Sequence, residues 1–228
     1  MPITREQAVA SALSLTGLTG VPAVAAVARA GERTPFVGQQ MAALGTAWEL
    51  TWPNVRLSLP SARGAADQYA RTVTVRLAQA GGQFLGATLR AAGELPSGVR
   101  PTPEGEVAQD QLRRAGESYA GVPATAPRLS LLSALDAVFV QGVGPPLHSR
   151  EIQALYVMLV RQGRAPVPVW AITLNGFPPM PDSGPPGAGP TPAWQRNHMR
   201  NVVDANTGRL LFATSVPQPI QPPPLLVS

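Results

Sequence analysis

Residues 149–163 read "SREIQALYVMLVRQG", and the choice between helix and strand here decides the fold. Ile152, Leu155, Tyr156, Leu159 and Val160 recur at helical spacing. Ser149 stands where an N-cap belongs, Glu151 falls in the first turn, and Gly163 supplies a stop. On this reading the stretch is an amphipathic helix that covers a sheet.

Working outward, "VPVWAITLNG" at 167–176 reads as a strand, and "HMRNVVDANTGRLLFATSV" at 198–216 reads as a β-hairpin. A Pro/Gly loop fills 177–192, and upstream "LSLLSALDAVFV" from 129 reads as a helix ended by Gly142, Gly144, Pro145 and Pro146. Residues 104–118, "EGEVAQDQLRRAGES", are expected to form an exposed connecting helix with early acids suited to its dipole. In the first half, "TREQAVASALSLT" at 4–16 predicts a helix with Thr4 and Gln7 as a capping box and Gly17 as its stop. Residues 21–30 suit either a short helix or a strand. "AWELTW" at 47–52, "VRLSL" at 55–59, "TVTVRLA" at 72–78 and "QFLGATL" at 83–89 read as strands, the last two turned by Gly81-Gly82.

The halves echo each other. "RLAQAGGQFLGAT" at 76–88 lies over "VVDANTGRLLFAT" at 202–214, which places Gly82 on Gly208, Leu85 on Leu211 and Thr88 on Thr214. "WELT" at 48–51 lies over "WAIT" at 170–173, and Thr4-Arg5-Glu6 lies over Ser149-Arg150-Glu151. The expected fold class is therefore α+β, with two similar units, each a helix packed on a small antiparallel sheet. The expected boundaries are 1–95 and 129–216 for the units, 96–128 for the connector, and 217–228 for a Pro-rich tail with polyproline II character.

The helix opening "SREIQAL", a following strand and the hairpin "VVDANTGRLL" together resemble the PepSY-type domain. The likeness is best over 149–214. It is poorer over 4–89, where Ala78 and Gly81 stand in place of the Asp and Thr. The resemblance implies an exported, non-enzymatic protein of the bacterial envelope that binds partners or inhibits proteases. It brings no catalytic residues with it.

Composition narrows the chemistry. The chain of 228 residues has no Cys, which removes disulfides, Cys-ligated zinc and thiol nucleophiles. Its 18 basic residues are all Arg, and the net charge of +5 is scattered rather than clustered. With aromatics at only 5%, this is a poor footprint for nucleic acid. No apolar run approaches the roughly 20 residues of a membrane helix. The N-terminal segment lacks the basic n-region and unbroken apolar core of a signal peptide.

No phosphate-binding loop, G-x-S-x-G elbow, H-E-x-x-H or G-x-G-x-x-G pattern occurs. The two histidines, His148 and His198, read as a solvated residue before a cap and a loop-edge residue. Asp136 is expected to face water on its helix. Trp48, Trp52 and Trp170 read as core aromatics. Asp204, Asn206 and Gly208 are assigned to shaping the hairpin turn. Trp194 and Pro222, Pro223 and Pro224 form a candidate interaction surface, since a Pro-rich segment fits an aromatic groove. The expected partner is a protein or peptide, with no cofactor, no metal site and no nucleic acid. The function expected is a binding or inhibitory module of the cell envelope. A structural subunit, an enzyme assembled only by the fold, and a nucleic-acid-binding protein stay open as alternatives.

Overall fold

A computed structural model describes residues 1–29, 46–57, 70–91, 117–141, 149, 151–175 and 198–215. In chain order the elements are α1 (Arg5–Thr16), β1 (Val24–Arg29), β2 (Thr46–Arg56), β3 (Ala70–Ala78), β4 (Phe84–Ala91), β5 (Glu117–Tyr119), α2 (Leu131–Gln141), β6 (Glu151–Arg161), β7 (Val167–Asn175), β8 (His198–Asp204) and β9 (Leu210–Ser215).

The strands form one antiparallel sheet in the order β1-β2-β3-β4-β6-β7-β8-β9, with β5 also pairing β6. This corrects the expected fold class. The molecule is β-rich, with nine strands in a single sheet and two helices among the described residues, not two helices each on its own small sheet. The join is made by β4 and β6, paired from Ala87–Ala154 to Arg90–Glu151.

The opening stretch is the reason for the difference. Residues 151–161 are strand β6, not a helix. β6 lies inside the sheet and is buried on both faces, so it carries apolar residues at successive positions. Ile152, Ala154 and Tyr156 join the main core under the helices. Leu155, Val157 and Leu159 point the other way, into a second cluster with Tyr119, Val169, Ala171 and Val202. An apolar run of this kind satisfies helical spacing by accident. The expected connecting helix of 104–118 also fails at its end, where Glu117–Tyr119 pair with Leu159–Arg161 as strand β5; residues 104–116 lie outside the described residues.

Both helices cover one face. α1 buries Ala8, Ala12 and Thr16, one residue per turn and all of them small, so the helix can sit close to the sheet. Its capping box is formed: Gln7 N–H donates to Thr4 Oγ1, and Thr4 N–H donates to Gln7 Oε1. α2 buries Leu131, Ala134, Leu135 and Val138. Between helices and sheet lie Leu50, Trp52, Val73, Val75, Leu77, Leu89, Trp170, Ile172 and Leu174. At ~25 cal/mol per Å² of apolar area, burying each large side chain contributes about 1.5–3 kcal/mol.

Candidate functional site

The hairpin turn after β8 is built by Asp204. Its Oδ1 accepts from the amides of Asn206 (2.8 Å) and Thr207 (3.2 Å). Its own backbone closes the turn, with Gly208 N–H donating to Asp204 O at 2.9 Å and Asp204 N–H donating to Arg209 O at 2.9 Å. One backbone position here needs positive φ. Gly208 takes it (φ 74°), and Asn206, the other candidate, does not.

The turn after β3 repeats this skeleton without the acid. Gly82 N–H donates to Ala78 O, Ala78 N–H donates to Gln83 O, and Gly82 has φ 69°. The spacing that separates Gly82 from Gly208 also separates Ile3 from Leu129, and those two residues make the same bonds. Ile3 N–H donates to Gln79 O and Leu129 N–H donates to Ala205 O. Trp48 Nε1–H donates to Ile3 O at 3.1 Å, and Trp170 Nε1–H donates to Leu129 O at 2.8 Å. The residues that follow, Thr4 and Ser130, both cap their helices, the latter accepting from Ser133 N–H. The counterpart of Thr4 is thus Ser130. Glu151, by contrast, opens β6, and Ser149 lies just ahead of it in the chain. Each tryptophan ties a strand to a helix entry, which accounts for a polar ring nitrogen in a core position.

Besides Ala78 for Asp204, the turns differ at Gly81, which takes φ 87° where Thr207 stands in the second, and in their contact with the helix. The Gln141 carboxamide, at the end of α2, bridges the second turn: Nε2–H donates to Gly208 O (3.1 Å), and Leu210 N–H donates to Oε1 (3.1 Å). Position 141 corresponds to Leu15 of α1, which has neither donor nor acceptor. Beside the first turn lies an open cavity of about 420 Å³, lined by Ser11, Ser14, Leu15, Gly82, Phe84 and Tyr156 among others. The Tyr156 hydroxyl donates to the carbonyl of Thr125, which also lines the cavity, at 2.9 Å, and burial pushes the Tyr156 pKa up. A second cavity of about 550 Å³ runs along α2 past Asp136, Gln141 and Gly208. Asp136 is half-buried there rather than fully in water.

The sheet face away from the helices carries a polar row in direct register: Thr51, Thr74, Thr88, Gln153, Thr173, Arg200 and Thr214, one each from β2, β3, β4, β6, β7, β8 and β9. Thr51 and Thr74 share a hydrogen bond, and buried Arg200 donates to buried Thr173. Next to the row, buried Glu151 accepts from Arg90 and from Gln153. Cross-strand pairs of this kind contribute about 0.2–1 kcal/mol each.

At one end of the sheet stands β1. Among the described residues it pairs only with β2, from Val24–Thr51 to Arg29–Thr46. Its sequence is VAAVAR, and Val24 and Val27 are exposed.

Other expected site residues are not brought together. His198 opens β8 opposite Asn175. His148, Trp194, Pro222, Pro223 and Pro224 lie outside the described residues. Among the described residues no group of three or more His, Cys, Asp or Glu side chains could hold a metal ion, and no helix is long and apolar enough to cross a membrane. Gln141 escaped the sequence reading because its role shows only against Leu15, and the two align only once Ser130 is known to start the second helix. No family model, curated protein or solved structure matches the chain.

Proposed function

We propose that this protein is a non-enzymatic binding module of the bacterial envelope that takes an extended segment of a partner polypeptide against strand β1. The observation that carries this reading is the edge itself. Sheet edges that must stay unpaired are blunted by charges, prolines or bulges. The stretch Val24–Ala28 has none of these and shows two exposed valines. A strand added there gains main-chain hydrogen bonds along its length, while Val24 and Val27 offer apolar contact on alternate faces. Of the PepSY-type resemblance only the hairpin remains in its favour, since the expected helix opening is strand β6; that family binds or inhibits partner proteins.

The interior of the sheet suggests a probe. β4 pairs β6, and β6 holds in the second set of strands the place that β1 holds in the first, beside a Trp-bearing strand. A synthetic peptide of residues 84–91 is therefore titrated into ¹⁵N-labelled protein. The amides of Val24–Arg29 should shift, and a Val24→Lys/Val27→Lys variant should lose the response. Shifts scattered over the surface, or none at β1, would overturn the reading.

A further inference from the structure

The geometry points to a binding site for a primary carboxamide, the side chain of a Gln or Asn in a polypeptide, in the cavity beside the first turn. The second turn shows how such a group is held. There the Gln141 carboxamide donates to the Gly208 carbonyl and accepts from the Leu210 amide. In the first turn the corresponding groups are the Gly82 carbonyl and the Phe84 amide, and both residues line the cavity. Among the described residues no side chain bridges them, because Leu15 replaces the glutamine. The two turns close with the same backbone bonds, the first with a second positive-φ residue at Gly81, so the first turn keeps the receptor and lacks its intramolecular occupant.

The pair of groups selects for chemistry. One donor and one acceptor lie side by side, and a primary carboxamide offers the complement on adjacent atoms. A trans peptide group points its N–H and C=O in opposite directions and can meet only one of them. A carboxylate has no hydrogen for the Gly82 carbonyl, and an ammonium has no lone pair for the Phe84 amide. The hydroxyls of Ser11 and Ser14 add polar contacts at the rim, while Leu15 and Phe84 give an apolar wall for the methylenes. The volume of about 420 Å³ exceeds what one side chain needs, leaving room for flanking backbone.

The test uses three blocked peptides, acetyl-Gly-X-Gly-N-methylamide with X as Gln, Glu or norleucine, titrated into the full chain by ¹⁵N NMR. The Gln peptide should move the Phe84 amide and bind about tenfold or more tighter than the other two, as expected for loss of one matched polar group. Leu15→Gln should fill the site from within and abolish binding while the spectrum stays folded. Gln141→Leu should open an equivalent site, with the Leu210 amide now responding to the Gln peptide. Equal responses to all three peptides, no response at Phe84, or unchanged binding by Leu15→Gln would overturn the assignment. Gln218 and Gln221 of this chain carry the same chemistry. A chain ending at Ser215 separates the sources: a gain in affinity for the Gln probe marks the tail as the resident ligand, and an unchanged affinity marks a partner. None of the groups that form this site belongs to β1, so the absence of strand addition at β1 leaves it standing.

Discussion

Asp204 and Ala78 occupy the same turn position with different side chains, and the comparison measures what a carboxylate adds. The Ala78 turn closes with the same backbone bonds as the Asp204 turn. The first turn closes without an acid but with a second positive-φ glycine, Gly81, where the second has Thr207. Asp204→Ala removes two bonds to exposed amides, each of which can turn to water instead. Chemical denaturation should show a loss of about 1 kcal/mol, with the fold retained. A loss above ~3 kcal/mol would mean that the carboxylate holds more than this turn.

At the level of elements, β6 teaches the most. Leu159 sits in the second cluster, on the face turned away from the helices. On a helix covering the sheet, its place in the apolar stripe would put it with Ile152 and Tyr156. Leu159→Ala should cost about 2–5 kcal/mol by cavity formation. A small effect would argue that the second cluster is loosely packed. The element boundaries that local chemistry decides were legible in the sequence: the Thr4–Gln7 capping box, the Gly81-Gly82 turn, and the alternating strands around Trp48 and Trp170. Strand β6 was not, because its periodicity is erased by burial on both faces, and only its β-branched and aromatic content speaks for a strand. The join of β4 to β6 was also illegible, since the pairing brings together segments more than fifty positions apart with no local signal. Asp204 could be read as a turn former because its partners are two and three residues away. The carboxamide of Gln141 could not, because it acts across α2 to β9.

For the molecule as a whole, composition makes its alkaline behaviour unusually simple. The chain has no Lys and no Cys, and arginine keeps its charge up to pH ~12. Above pH 9 the side chains left to titrate are Tyr69, Tyr119 and Tyr156. Burial raises Tyr156 above its ordinary value of 10.0. The unfolded chain thus releases this proton first, so stability is held below pH ~10 and declines as the pH climbs through the folded-state value. Thermal melts between pH 8 and 12 should show that decline, and Tyr156→Phe should flatten it. An unaltered slope in the variant would assign the effect to the other tyrosines.

The β4–β6 join also carries a consequence for how the chain reaches its final form. Strands β1 to β4 and β6 to β9 each pair with the neighbour next in sequence. Each of these connections is shorter than the one from β4 to β6 and so costs less entropy to close, and each group can assemble early. The join must bridge from Arg90 to Glu151 and can form only between two edges already in place. Zipping is then local, and docking comes last. In refolding followed by pulsed deuterium labelling, amides at Ala87–Arg90 and Glu151–Ala154 should gain protection after those inside either group. Until that moment the nascent chain exposes two extra sheet edges, and this interval is when it is most prone to pair with the wrong neighbour.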